Sequence, residues 1–513
     1  MASFWTEIVV PLLAGAGMSF AVERLLEPAP ALAGRPWRSL AVHLGMWTIA
    51  YAVVLLVVQR PWFAALLVLA ELLFFAIVSN RKVRALREPF VYQDFEYFTD
   101  VIRHPRLLLP YLGVIPALVV CAAFGAAIWL GVALEPGLPA QTGWAAFGTG
   151  AAVMAALGAA LLWAGTSGAR PATFRPAEDM RRHGQLASFW YYWLAERGRP
   201  ALPETTRYSG TPARPAGGLP DIVIVQSESF FDARRLHAGV RTELLAEFDA
   251  VRKAAVQSGY ARVPAWGGNT ARSEFAFLTG LRSDRLGVNL FNPYRKLAQQ
   301  AVPTLAGLAK RAGYRTVCVH PYPVSFYSRD SAYPALRFDE FLDLEDFRDA
   351  ARYGPYVSDA AVAAKVSGLL DRGGEPLLVF AITMENHGPL HLEKVAPGDV
   401  ERLYTAPPPP GYEDLTVYLR HLANADRMIR ALRERLERSP RDGWLAWYGD
   451  HVPILPAVYD ATGYADGRTD YFIWGKGRAP GLAPIEIGIE ELGIALLHHV
   501  GLIAPPMNAD ERG

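Results

Sequence analysis

This sequence predicts two parts in series: a transmembrane domain of about five helices over residues 1–165, and an α/β domain on a mainly parallel sheet over residues 221–513. Three observations predict it. Apolar residues make up 51% of the chain, and the first third holds long charge-free runs of them. From Asp221 onward, short β-branched apolar runs alternate with helix-like stretches. Polar residues suited to chemistry follow directly after those short runs, where open α/β sheets bind their ligands.

The runs Ser39–Gln59, Leu107–Leu134 and Trp144–Gly165 contain no Asp, Glu, Lys or Arg. Each has the roughly 20 residues needed to cross a bilayer core. Trp62–Ser79 qualifies apart from Glu71, and Ile8–Val22 spans if Glu7 and Glu23 lie at the interfaces. Several such runs rarely occur together in a soluble core. The connection Asn80–Arg106 mixes Arg81, Lys82, Arg84, Arg87, Arg103 and Arg106 with Phe90, Tyr92, Phe95 and Tyr97. That pattern suits a segment lying on a lipid surface.

Residues 166–220 read as a juxtamembrane connection. The run Phe189-Trp190-Tyr191-Tyr192-Trp193 suits an interface helix, and the Pro/Gly-rich stretch Ser209–Leu219 suits a linker. Net charge is +1, which gives no electrostatic ground for a nucleic-acid partner. Of two cysteines, Cys121 falls in an apolar run, so Cys318 is alone in the α/β part and no disulfide forms there. No basic segment precedes the first apolar run, so no signal peptide is expected.

In the α/β part the expected strands are Ile222–Val225, Thr316–His320, Leu377–Thr383, Leu445–Tyr448 and Tyr471–Trp474. Val302–Ala312, Ala360–Leu370 and Tyr418–Leu436 read as helices. Gln226-Ser227-Glu228-Ser229 follows the first strand. Glu385-Asn386-His387-Gly388 follows the third, and Gly449-Asp450-His451 the fourth. Carboxylate, imidazole and carboxylate at strand ends suit a divalent metal. The loop Trp266-Gly267-Gly268-Asn269-Thr270 puts a hydroxyl behind two glycines at an expected helix start, where glycines let the backbone approach a phosphate and the helix N-terminus favours an anion. Thr270 there is a candidate nucleophile. Taken singly these residues have bland readings: a helix cap for Thr270, a loop carboxylate for Glu228, a structural pair for Asp450 and His451. Their order within an α/β pattern is what carries the argument.

The set Glu228-Ser229, Gly268-Asn269-Thr270 with Ser273-Glu274-Phe275, His320, Arg329, Asn386-His387 and Gly449-Asp450-His451 resembles the lipoteichoic acid synthase group of the alkaline phosphatase and sulfatase superfamily. The resemblance extends from about Pro220 to the C-terminus and to the five-span N-terminal arrangement. It implies a sulfatase-like domain in which Glu228, Thr270, Asp450 and His451 bind one divalent metal, with Thr270 also the nucleophile. It further implies that His387 assists proton transfer or contacts the phosphoryl group. His320, Tyr327 and Arg329 would line the substrate pocket, with Tyr327 where the group usually has Trp. Manganese is the metal implied first, with zinc or magnesium as alternatives that an O/O/O/N ligand set does not separate. The implied reaction moves a phosphoglycerol head group from phosphatidylglycerol to a glycan or polymer acceptor through a phospho-threonine. The implied setting is a bacterial inner membrane, with the catalytic domain outside the cytoplasm.

Rival readings are a phosphoethanolamine transferase, a membrane-anchored phosphodiesterase or sulfatase-like hydrolase, and a non-catalytic lipid-binding protein. The lone Cys318 argues against the first, whose exported domain usually carries several disulfides. Val317-Cys318-Val319-His320-Pro321 does not fit the C/S-x-P-x-R context of a sulfatase nucleophile. An outside catalytic domain after five spans puts the Arg-rich connection outside too, against the positive-inside rule. Binding of those basic residues to anionic lipid head groups would account for this.

Overall fold

The structure, a computed structural model, describes residues 2–96, 114–168, 172–198, 202–297 and 300–503. The chain forms two compact units, Met1–Pro200 and Ala201–Gly513.

The first unit contains α1 (Ala2–Glu23), α2 (Trp37–Val58), α3 (Pro61–Leu86), α4 (Val114–Leu134) and α5 (Trp144–Thr166). Among the described residues four segments are long and apolar enough to cross a membrane: Trp5–Glu23, Trp37–Val58, Pro61–Leu86 and Trp144–Thr166. Among the described residues the count is therefore four where five were expected. The remaining predicted run, Leu107–Leu134, begins outside the described residues and is helical from Val114. Helices α2 and α5 meet closely: a Cβ on Gly45 would lie 2.8 Å from the Gly158 carbonyl, and one on Gly165 2.6 Å from that of Arg38. Small residues permit such contact, as is usual between membrane helices.

Part of the basic connection continues α3 as far as Leu86. Lys82 Nζ does not project from this helix to lipid but donates to Glu88 (2.7 Å) and Asp94 (2.6 Å). Phe90 and Val91 are buried beside it. Residues 97–106 of that connection lie outside the described residues. Two further helices, α6 (Pro176–His183) and α7 (Gln185–Arg197), also belong to this unit. The N-terminus of α7 is capped by Glu23, whose Oε1 accepts from the Gln185 N–H at 2.8 Å while Oε2 accepts from Arg35 Nη1 at 2.7 Å. Within the aromatic cluster, Phe189, Tyr191 and Tyr192 are buried.

The second unit is built on a sheet of β1 (Asp221–Ser227), β2 (Gln257–Arg262), β3 (Arg315–Val319), β4 (Glu340–Leu342), β5 (Leu377–Ile382), β6 (Gly443–Gly449), β7 (Thr469–Gly475) and β8 (Ile487–Gly488). The spatial order is β8-β2-β7-β6-β1-β5-β3-β4. Only β7 runs antiparallel to its neighbours, β2 and β6. All five strands expected from the sequence fall in this sheet. β1, β5, β6 and β7 are buried along their whole length, as expected for a sheet covered on both faces. Successive side chains alternate between two cores. Val223, Val225, Val379 and Trp447 join one, while Ile222, Ile224, Phe380 and Tyr448 join the other. The parallel strands β1, β5 and β6 therefore end at one edge, and the loops after them form a common surface.

Candidate metal and nucleophile site

Glu228 and Ser229 continue from β1, and Asp450 and His451 continue from its neighbour β6. Gly449, the last residue of β6, is needed at the junction. A Cβ there would lie 1.8 Å from the Phe230 carbonyl oxygen, so any side chain would force the two loops apart. Ser229 adopts φ 54°, and its N–H donates to Asp450 Oδ1 at 2.8 Å. Its hydroxyl donates to Glu228 Oε1 at 2.9 Å. These bonds lock the two strand-end loops together.

The donor atoms of Glu228, Asp450 and His451 lie within 4.8 Å of one another, and all three residues are buried. His451 Nδ1 lies 3.0 Å from the Val452 carbonyl, which can only accept, so this nitrogen carries the proton. Nε2 then presents its lone pair, 3.5 Å from Glu228 Oε1 and 3.4 Å from Asp450 Oδ2. That is the tautomer a metal ligand requires. Asp450 Oδ2 is buried with no hydrogen-bond partner. Burial, followed by the nearby Asp450 carboxylate, pushes Glu228 up to about 8. A buried anionic oxygen without a partner and two mutually repelling carboxylates fit a divalent cation between them.

Thr270 is the first residue of α8, a helix spanning Thr270–Thr279. Its Oγ1 lies 3.5 Å from His451 Nε2, which brings it to the three candidate ligands. Asn269 takes φ 61° to turn the chain into the helix, and the Gly267 N–H donates to the Val452 carbonyl at 3.0 Å. Ser273, nearly one turn along, donates to the Asp450 carbonyl at 2.6 Å. The four residues expected to act together at a metal thus converge.

The pocket residues divide. His387 is partly buried, and its Nδ1 donates to the Gly388 carbonyl at 2.6 Å. Burial holds its pKa below the usual value, so it is neutral with Nε2 free to accept a proton. His320 follows β3 and is also kept neutral, first by burial and then by the Arg329 charge. Arg329 is not an open pocket residue: it is 1% exposed, and Glu274 holds it through Nη2–Oε2 at 2.8 Å and Nε–Oε1 at 3.4 Å. The Tyr327 ring lies over this guanidinium at 5.3 Å, and Tyr327 and Ser328 take φ 57° and 53°.

With this geometry in hand, the comparison with known proteins is decisive at the family level. The profile of the Sulfatase family matches residues 220–501. The chain belongs to the sulfatase family. This is the superfamily to which the sequence resemblance pointed. The chain is 38% identical over 270 residues to the capsular polysaccharide biosynthesis protein RkpI of Rhizobium meliloti (strain 1021), covering 52% of this chain and 47% of that protein. It is 29% identical over 260 residues to a putative cyclic beta-1,2-glucan modification protein of the same organism, covering 50% of this chain and 40% of that one. The chain thus spans about half the length, or less, of these relatives. Among solved structures, the integral membrane lipooligosaccharide phosphoethanolamine transferase A of Neisseria meningitidis aligns over 89% of this chain and 87% of its own, with 14% identity and a TM-score of 0.53. That likeness is one of fold, and it takes in the apolar helices together with the sulfatase domain.

Two features of the sulfatase site carry no role in the sequence reading. Glu274 sits within the recognised motif, but nothing in the sequence says that it holds Arg329, 55 positions away. Asn386 is buried, and neither polar atom of its amide has a partner. Its position beside His387 after β5 was the available signal. Cys318 is buried within β3, and burial pushes its thiol well above the usual range, so it offers no thiolate.

Proposed function

We propose that the protein transfers the phosphoglycerol head group of phosphatidylglycerol to a hydroxyl of a glycan or glycan-like polymer, through a covalent phospho-threonine at Thr270. The observation that carries this reading is the convergence of the Thr270 hydroxyl with Glu228, Asp450 and His451 at the ends of β1 and β6. When bound by these three residues and Thr270, a divalent cation supplies Lewis-acid stabilisation of alkoxide and phosphoryl charge. Manganese is the proposed ion, with zinc or magnesium as alternatives.

In the first step Thr270 Oγ1 gives up its proton and bonds to phosphorus, the bond from phosphorus to the diacylglycerol oxygen breaks, and the proton lost by Thr270 ends on that oxygen. In the second, the acceptor hydroxyl gives its proton to His387 Nε2 and bonds to phosphorus, the bond from phosphorus to Thr270 Oγ1 breaks, and the proton held on His387 passes to Thr270. The tautomer fixed by the Gly388 carbonyl suits His387 to this role as base. Tyr327 lies over Arg329, and the proposed role of Arg329 is to donate its remaining Nη1 to a phosphoryl oxygen, with His320 as a further proposed pocket residue. A glycan acceptor is supported by the two relatives named for capsular polysaccharide and cyclic glucan. The proposed setting is a bacterial inner membrane with the sulfatase domain outside the cytoplasm.

The test is turnover of lipid by the metal-loaded full chain in detergent. Phosphatidylglycerol and phosphatidylethanolamine, each labelled in the head group, are supplied with a glucan acceptor. Label from phosphatidylglycerol should appear on the glucan as diacylglycerol is released. Transfer from phosphatidylethanolamine alone would replace this reading with the phosphoethanolamine one, and label released only into water would make the protein a phosphodiesterase.

A further inference from the structure

Helix α8 carries Thr270 at its start and Glu274 four residues on, so the two side chains project from one face. Glu274 is fully buried. Its Oε2 takes Arg329 Nη2, and its Oε1 takes Arg329 Nε together with the hydroxyls of Tyr333 (2.6 Å) and Tyr294. One guanidinium nitrogen remains: Arg329 Nη1 is buried with no hydrogen-bond partner. Glu274 stands about one helical turn, roughly 6 Å along α8, from Thr270, so the guanidinium it holds lies on the nucleophile's side of the helix. A guanidinium is a rigid planar fork, so fixing Nε and Nη2 on Glu274 also fixes the direction of Nη1. The same carboxylate cancels the guanidinium charge.

We propose that Glu274 is a positioning residue that aims Arg329 Nη1 at a phosphoryl oxygen and, by neutralising the guanidinium, makes the pocket select a singly charged phosphodiester over a doubly charged monoester. This rests on the reading that Arg329 faces the reacting phosphoryl group. A phosphate monoester carries nearly two negative charges at neutral pH, whereas a diester carries one, and a pocket with no surplus positive charge penalises the second.

The experiment measures kcat and KM of the metal-loaded full chain in detergent with bis(p-nitrophenyl) phosphate and p-nitrophenyl phosphate. Glu274→Gln leaves the arginine uncompensated. It should lower kcat for the diester and raise the monoester-to-diester ratio of kcat/KM by about tenfold, the scale of one charge-assisted contact. Tyr333→Phe loosens Glu274 without changing charge, and should lower kcat while leaving that ratio unchanged. Glu274→Gln combined with Arg329→Gln restores a neutral, foldable pair. It should keep the wild-type ratio and lose no more diester activity than Arg329→Gln alone. An unchanged ratio in a folded Glu274→Gln protein overturns the proposal, as does a shifted ratio in the neutral pair or a loss that adds to that of Arg329→Gln. A shifted ratio in a protein that does not turn over phosphatidylglycerol would sink the lipid reading and support this one.

Discussion

Glu228 and Asp450 are buried carboxylates facing one imidazole nitrogen, an arrangement that is costly unless a cation lies among them. Purified full chain should therefore hold one divalent ion per chain by elemental analysis. Asp450→Asn or His451→Ala should strip it, because a site that loses one of so few ligands is incomplete. Full occupancy in both variants would remove them from the ligand set. Thr270 calls for a different expectation. Thr270→Ala should abolish transfer while changing stability by no more than about 1 kcal/mol, the scale of a lost helix-terminal hydroxyl. Thermal unfolding of the variant beside its activity separates loss of chemistry from loss of fold. Arg329 shows what a one-dimensional motif conceals: the family resemblance marks it for the pocket, but its partner Glu274 lies on another element, and only the fold joins them.

At the scale of elements, the junction between β6 and its loop is the tightest point of the site. Gly449→Ala drives a methyl group into the Phe230 carbonyl. It should cost at least roughly 1–3 kcal/mol, as overpacking does, and should weaken metal binding with it. The long helix Glu413–Arg438 supports the adjoining loop through His421, whose Nδ1 meets Glu385 at 3.2 Å and Nε2 meets Glu393 at 3.1 Å. Burial opposes the His421 charge, but these two carboxylates outweigh it and push its pKa up to about 9. Asp359, Asn424 and Arg420 also touch these carboxylates, and the Tyr353 ring packs edge-on against His421 at 5.3 Å. A raised histidine stabilises the fold fully below its unfolded value of about 6.5, and this contribution is lost as pH rises through about 9. Wild type should therefore lose stability between those values relative to His421→Gln, as read by denaturant unfolding at a series of pH values. Parallel curves would remove His421 from this role.

The same scale explains what was legible in the sequence. The five strands read there are the apolar, doubly covered ones, whose composition alone marks them. β2, with Gln257, Ser258 and Gly259, and the two-residue β8 carry no such signal, since pairing rather than composition makes them strands. Glu228, Thr270, Asp450 and His451 were legible because each sits at the end of a strand or the start of a helix. The Glu274 and His421 networks were not, because they depend on contacts between distant elements.

For the whole molecule, apolar helices long enough to cross a membrane share one chain with the sulfatase domain, and the proposed chemistry depends on which side of the membrane that domain occupies. Reporter fusions in the stretch Ser209–Leu219 should be active only outside the cytoplasm, and activity only inside would remove access to the proposed setting. The central claim remains the covalent use of Thr270. Its most direct measurement is the mass of the peptide containing Thr270 after the metal-loaded full chain is incubated with labelled phosphatidylglycerol and no acceptor. A phosphoglycerol adduct is expected on Thr270, formed in step with diacylglycerol and absent in Thr270→Ala. Accumulation of diacylglycerol with Thr270 unmodified, or in Thr270→Ala, would contradict it.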